Sequence, residues 1–83
     1  MNAAETVRSF IVSQFLFGED DGFENDASFL ESGMIDSMGI MELVAFLEKT
    51  FQIKIEDPEL IPQNLDSLDR ILVFLKAKSG KAG

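Results

Sequence analysis

The chain has 83 residues, with seven Lys+Arg, fifteen Asp+Glu, no His, no Cys and 46% apolar residues. That is enough for one small domain with a core, but domains this size bury only about 60–65% of their unfolded surface and have a thin stability margin. The missing residue types exclude a disulfide framework, a thiolate or imidazole metal site, a cysteine nucleophile and a Ser-His-Asp triad.

Apolar spacing predicts helices. Val7, Phe10, Ile11 and Phe15 lie on one stripe, marking a first helix over about residues 4–16. Gly18 and the polar run Glu19 to Asp26 end it and open a long loop, from which Phe23 and Phe29 are expected to fold back onto the core. Ile40, Leu43, Val44, Leu47 and Phe51 form the clearest stripe, a second helix over about residues 37–51. Asp36 or Ser37 can cap it, because a short side-chain oxygen there accepts an unpaired first-turn N–H. Gln52 to Ile55 alternates and reads as extended, too short to found a sheet. Asp57-Pro58 reads as a cap followed by proline at the first helical position, predicting a short third helix that reaches Ile61 and is closed by Pro62. Asn64 is placed to cap a last helix carrying Leu65, Leu68, Ile71, Leu72 and Leu75, followed by a loose tail over residues 79–83. The expectation is an all-α fold: a small four-helix bundle of three longer helices and one short third helix, with a long loop between helices 1 and 2. A single domain over residues 1–83 follows, with an ordered core over about residues 4–78.

The net charge of −8 is unevenly spread. No basic residue stands between Arg8 and Lys49, whereas Arg70, Lys76, Lys78 and Lys81 outnumber Asp66 and Asp69 at the other end. An acidic surface repels nucleic acid and anionic membranes and suits basic protein partners. A solvated face that keeps a small protein soluble reads equally well from the same residues. An unbroken apolar run such as Ile71 to Leu75 is far too short to span a bilayer. The opening Met-Asn-Ala-Ala-Glu-Thr lacks the basic and apolar regions of a signal peptide, so a cytoplasmic location without membrane insertion is expected.

One segment stands apart, Phe29-Leu-Glu-Ser-Gly-Met-Ile-Asp-Ser-Met-Gly-Ile-Met-Glu-Leu43. It sets a Gly-containing turn and then Asp36-Ser37 at the start of the best-marked helix. Gly33-x-x-Asp36-Ser37-Met38, followed by Glu42-Leu43 and Phe51-x-Ile53-x-Ile55, resembles the acyl carrier protein family over nearly the whole chain. That family opens the second helix of a four-helix bundle with Asp-Ser-Leu or Asp-Ser-Met. Alone, Asp-Ser is most often a helix cap; in this length, charge and helix order it is a specific signal.

The resemblance implies that Ser37 is the attachment point of 4′-phosphopantetheine, moved from coenzyme A by a separate, magnesium-using phosphopantetheinyl transferase. The arm's thiol then holds acyl or aminoacyl cargo as a thioester, which fits a chain with no thiol of its own. Such a protein is a carrier and not an enzyme, with no catalytic residues and no metal site. Asp36 would meet the transferase or its metal. Met38, Met41, Glu42 and Glu48 would face partner enzymes, a solvated helix face being the alternative for the two acids. Phe46, beside them, is expected to pack at the edge of the core. Leu43, Leu47, Ile55 and Ile61 would line a cargo pocket, although any core needs such residues. The implied partners are acyl- or aminoacyl-loading ligases and thioester-using synthases or transferases with basic docking surfaces, serving fatty acid, polyketide or related biosynthesis; the carrier itself is expected to be monomeric. The reading from another class is an acidic α-helical interaction module without a prosthetic group.

Two positions depart from the common fatty-acid carriers. Gly39 and Lys49 stand where those carriers are usually acidic, and the run from Gly33 to Leu43 is similar to D-alanyl and other aminoacyl carriers. Gly39 also costs about 1 kcal/mol of helix propensity relative to Ala, which something must offset. A calcium loop starting at Asp20 fits poorly: Glu31 falls at the twelfth position, but Gly22 brings no oxygen to the third and Asn25 replaces the glycine of the sixth. Loose cation binding that relieves repulsion is the milder expectation there.

Overall fold

The structure, a computed structural model, describes residues 2–18 and 22–79. Helix α1 (Ala3–Phe15) starts where the Asn2 side chain accepts the Glu5 N–H, and it buries Val7 and Ile11. It ends in a left-handed turn: Phe17 has φ +54° and Gly18 φ +83°, and the Gly18 N–H reaches back to the Val12 carbonyl at 2.9 Å. Such a turn satisfies carbonyls that the helix end would otherwise leave unpaired. The Arg8 guanidinium then gathers the incoming loop, donating to the Phe23 carbonyl at 3.0 Å and lying 3.9 Å from the Phe23 ring centroid.

Phe29 is fully buried with Phe23 edge-on against it, as the apolar residues of the loop predict. The loop is not continuous, however. Phe29–Ser32 forms a short helix, α2, capped by Ser28 and closed by Gly33 in the left-handed region. The Ser28-x-x-Glu31 spacing is the local signal for it. Helix α3 (Ser37–Phe51) buries Leu43, Val44 and Leu47 and ends on Gln52 at φ +55°. Phe46 stacks on Phe10 at the edge of the core, with ring centroids 3.9 Å apart.

After α3 the chain departs from the predicted boundaries. The expected short third helix is reduced to a 3-10 turn at Asp57–Glu59, and a separate helix α4 (Pro62–Leu65) follows it, taking residues expected at the boundary and start of the last helix. Pro62 opens α4 rather than closing its predecessor, because a missing N–H costs nothing at a first helical position. Asn64 caps nothing; its amide donates to the Glu59 carbonyl at 3.0 Å. Helix α5 (Leu68–Ser79) begins later than expected, where the buried Ser67 hydroxyl oxygen accepts the Arg70 N–H. Leu65 thus belongs to α4, and α5 adds Phe74 to the core. Phe74 is hidden in the sequence because the run Ile71 to Leu75 shows no period, while Val73 within it is 70% exposed.

Helix α1 packs on α5 and α3, and α4 on α5. Among the described residues there is no strand, so the chain is an all-helical bundle with three long helices. None of its helices, among those residues, is long and apolar enough to cross a membrane. The proposed tail starts as helix at Ser79, and residues 80–83 lie outside the described residues. So does Asp20, where a calcium loop would begin; Asn25 of that stretch accepts from Arg8.

Gly39 is buried, which corrects its reading as a surface position stripped of an acidic contact. A Cβ there would lie 2.7 Å from Ile35 Cγ2 and 2.9 Å from Phe15 Cε1, both too close for a real contact. The helix-propensity cost is therefore offset by the close approach of α1 and the Met34–Ile35 segment to the first turn of α3. Gly39→Ala gains about 1 kcal/mol of propensity but overpacks this contact, which typically costs about 1–3 kcal/mol. A net stability loss of about 1 kcal/mol is expected in urea unfolding; a stabilised variant would contradict the close-packing account.

Candidate functional site

The site is built on the start of α3. Asp36 has extended backbone and caps the helix, its Oδ1 accepting the Gly39 N–H at 2.7 Å while its carbonyl accepts the Ile40 N–H at 2.9 Å. The N–H groups of Ser37 and Met38 come earlier in the turn and have no intrahelical acceptor. Ser37, the first residue of the helix, is exposed beside them.

The Ser37 side opens onto an apolar groove of about 220 Å³. Leu30 of α2, Ile40 and Met41 of α3, Leu60, Ile61 and Pro62 of the following segment, and Leu65 and Asp66 line it together with Ser37. Asp66 ties this junction together. It accepts from the Ser28 hydroxyl and, on Oδ1, from the Leu30 N–H at 3.0 Å, while its carbonyl accepts the Phe29 N–H at 2.8 Å. One residue thereby fastens α2 to the α4–α5 junction and sets the groove's base. Sequence reasoning missed Asp66 and Leu30, since nothing local pairs a residue of α2 with one nearly forty positions later.

The residues expected to face partners separate. Met38 is 78% exposed, Met41 53% exposed, and Glu42 is exposed on the same helix. Glu48 is half-buried, and its Oε2 accepts the Ile55 N–H at 2.8 Å, so it holds the chain after α3. Lys49 is exposed in the last turn, where a positive charge complements the helix dipole. The residues proposed for a cargo pocket also divide. Leu43 and Leu47 are fully buried and Ile55 nearly so, whereas Ile61 lines the groove beside Ser37.

The far wall is held by polar contacts. Glu59 and Glu56 cap the 3-10 turn reciprocally, with the Glu56 N–H on Glu59 Oε1 at 2.8 Å. Lys78 of α5 donates to both Glu59 oxygens, at 2.9 and 3.2 Å. The Glu56 N–H first, and then the Lys78 hydrogen bond, hold the Glu59 carboxyl below its ordinary value of 4.5.

With this geometry in view, the comparisons place the chain. A family model described as a phosphopantetheine attachment site matches residues 10–72. The chain is 36% identical over 76 residues to an acyl carrier protein of Akkermansia muciniphila, covering 92% of this chain and 91% of that one. It is 32% identical over 73 residues to a D-alanyl carrier protein of Streptococcus uberis, covering 86% and 92%. A probable acyl carrier protein, PigG, of a Serratia species is 30% identical over 66 residues, covering 80% and 76%. The chain belongs to the acyl carrier protein family, whose members hold a covalent 4′-phosphopantetheine and carry cargo without catalysing its chemistry. Such carriers work with transferases and synthases. The residues present fit the group: an exposed hydroxyl at a helix start, two open N–H donors suited to a phosphate, and an apolar groove alongside.

The lowered Glu59 pKa has a definite sign. A carboxyl depressed in the folded chain contributes stability that is complete above its ordinary value and lost as pH falls through the lowered native one. Below pH 4.5, Glu59→Gln is expected to lose stability less steeply than wild type, as read by thermal unfolding at successive pH values. Parallel slopes would remove Glu59 from the acid limb.

Proposed function

We propose that Ser37 carries the 4′-phosphopantetheine arm, and that the chain shuttles acyl or aminoacyl thioesters between partner enzymes. The observation that carries this reading is the exposed Ser37 hydroxyl at the capped start of α3, beside an apolar groove. When attached, the arm supplies the thiol that this chain lacks. Ser37 presents its hydroxyl to the loading transferase, clear of the core. Asp36 keeps the first turn in place by occupying the Gly39 N–H, and its exposed position suits a meeting with the transferase or its metal. The open N–H groups of Ser37 and Met38 favour the phosphodiester's negative charge. Met38, Met41 and Glu42 form the partner-facing strip, methionines adapting to several surfaces. Glu48 is better read as a structural tie, and Ile61 as the member of the proposed cargo set that meets the groove.

Acyl and D-alanyl carriers both stand among the relatives, which supports either cargo chemistry. We assign the chain to a specialised pathway in the cytoplasm, served by a dedicated ligase. Lys49 carries that inference, since it reverses a charge on the exposed side of α3; Gly39 no longer contributes, being buried.

Two measurements test these assignments. Incubation with coenzyme A, magnesium and a broad-specificity phosphopantetheinyl transferase is expected to add one phosphopantetheine, mapped to Ser37 by intact mass and peptide fragmentation. Because Asp36 is the cap, Ser37→Ala is expected to keep its stability within about 0.5 kcal/mol and to gain no mass. A mass gain retained by the alanine variant would place the arm elsewhere. For partner choice, Lys49→Glu is expected to raise use of the loaded chain by a general malonyl transferase up to about fivefold at low salt, the effect of one exposed charge pair. Added salt erodes that gain. Rates unchanged by the substitution would sink the role given to Lys49.

A further inference from the structure

One wall of the groove beside Ser37 is formed by Leu60, Ile61 and Pro62, and burial anchors it weakly. No residue of the 3-10 turn Asp57–Glu59 is buried, Leu60 is only half-buried, and Ile61 keeps 38% of its surface exposed. Leu60 packs on the edge of the core, but with little other apolar area removed from water, polar ties contribute much of what positions this segment. Glu59 collects several of them. Its Oε1 accepts the Glu56 N–H, its carbonyl accepts the Asn64 amide, and its carboxylate takes the Lys78 ammonium at 2.9 and 3.2 Å.

From α5, Arg70 and Lys78 reach this segment. Arg70 Nη1 approaches the Pro62 carbonyl at a long 3.5 Å, whereas the Lys78 contact is shorter and charged on both sides. The Lys78 and Glu59 side chains are only 23% and 30% exposed, which screens the pair less than an open surface pair. The Lys78 ammonium also stands 5.9 Å from the centroid of the Phe74 ring, itself part of the core.

We propose that the Lys78–Glu59 ion pair is a latch that holds the Leu60–Pro62 wall toward Ile40 and Met41 of α3, and so sets how well an aliphatic acyl chain on the arm is sheltered in the groove. Lys78 is in this sense a positioning residue, remote from Ser37 in the chain and acting through Glu59. The proposal rests on the reading of Ser37 as the arm's attachment point.

The test loads the full chain from acetyl-, hexanoyl- and decanoyl-coenzyme A with a broad-specificity transferase, then measures cleavage of each thioester by hydroxylamine. Lys78→Met breaks the pair while leaving the reciprocal Glu56–Glu59 caps, and Lys78→Arg keeps the charge. The hexanoyl and decanoyl thioesters are expected to be cleaved about two- to fivefold faster on Lys78→Met than on wild type. The acetyl thioester, too short to use the groove, is expected to be unchanged. Lys78→Arg is expected to restore shelter, molar salt to move wild type toward the methionine variant, and amide exchange at Leu60 and Ile61 to quicken in parallel. Equal cleavage rates across the variants would overturn the latch alone, as would an equal acceleration of all three thioesters, which marks general loosening. No mass gain at Ser37 in any variant would overturn the attachment site and the latch with it.

Discussion

The first turn of α3 sits against Phe15 and Ile35 at a separation that only a residue without a Cβ allows, and the placement of everything at the site follows from that contact. Gly39 lets the end of α1 and the Met34–Ile35 segment close on the helix start. Asp36 then caps the same turn through the Gly39 N–H. The core side of the turn is thereby filled and its Gly39 N–H is paired, while Ser37 stays on the outer side. A larger residue would push apart the elements that aim the hydroxyl outward. The helix-propensity penalty is the cost of this geometry, and apolar packing offsets it.

Away from that contact, the structure changes its means of cohesion. Helices α1, α3 and α5 are joined through buried Val7, Ile11, Leu43, Leu47 and Ile71. The segments between α1 and α3, and between α3 and α5, add buried Phe29, Ile35, Ile55 and Leu65 to that core, but much of their remaining length is polar. Their polar stretches are tied by side chains reaching across the chain: Arg8 on Phe23, Glu48 on Ile55, Asp66 on Ser28 and Leu30, and Lys78 on Glu59. Surface hydrogen bonds and ion pairs are individually worth little, so these polar stretches are held less firmly than the buried residues beside them. The groove beside Ser37 is bounded by both kinds of element, one wall from the core helix α3 and one from the half-buried and exposed residues of the Leu60–Pro62 segment.

Charge and composition fit the same division of labour. A carrier needs a reactive thiol that its own fold does not supply, and a surface that basic enzymes can find and release. Exposed Met38, Met41 and Glu42 are compatible with transient docking, because rim charges affect encounter more than tight binding. Glu48, an acid on the same helix, has its carboxylate engaged by the Ile55 N–H.

The sequence by itself determined the helical class, the α1 and α3 stripes, the inward-facing Phe23 and Phe29, and the helix start at Asp36-Ser37. The stripes and the helix start follow from spacing within about four residues or from a cap next to the helix, and the two phenylalanines from being apolar in a polar loop; such signals are local. The fate of Gly39 was decided only by tertiary structure, since its missing Cβ matters solely because Phe15 and Ile35 arrive from elsewhere. The same holds for Glu48, whose carboxylate looks like a surface charge until the chain turns and brings the Ile55 N–H to it. Pro62 and Asn64 take other places than the local signals suggest because proline suits either side of a boundary, and the 3-10 turn stops at Glu59 before reaching Ile61. The groove was legible only in its Ser37 edge. Its base at Asp66 and its latch at Lys78 join residues distant in sequence, and no local pattern encodes which of them the fold will bring together.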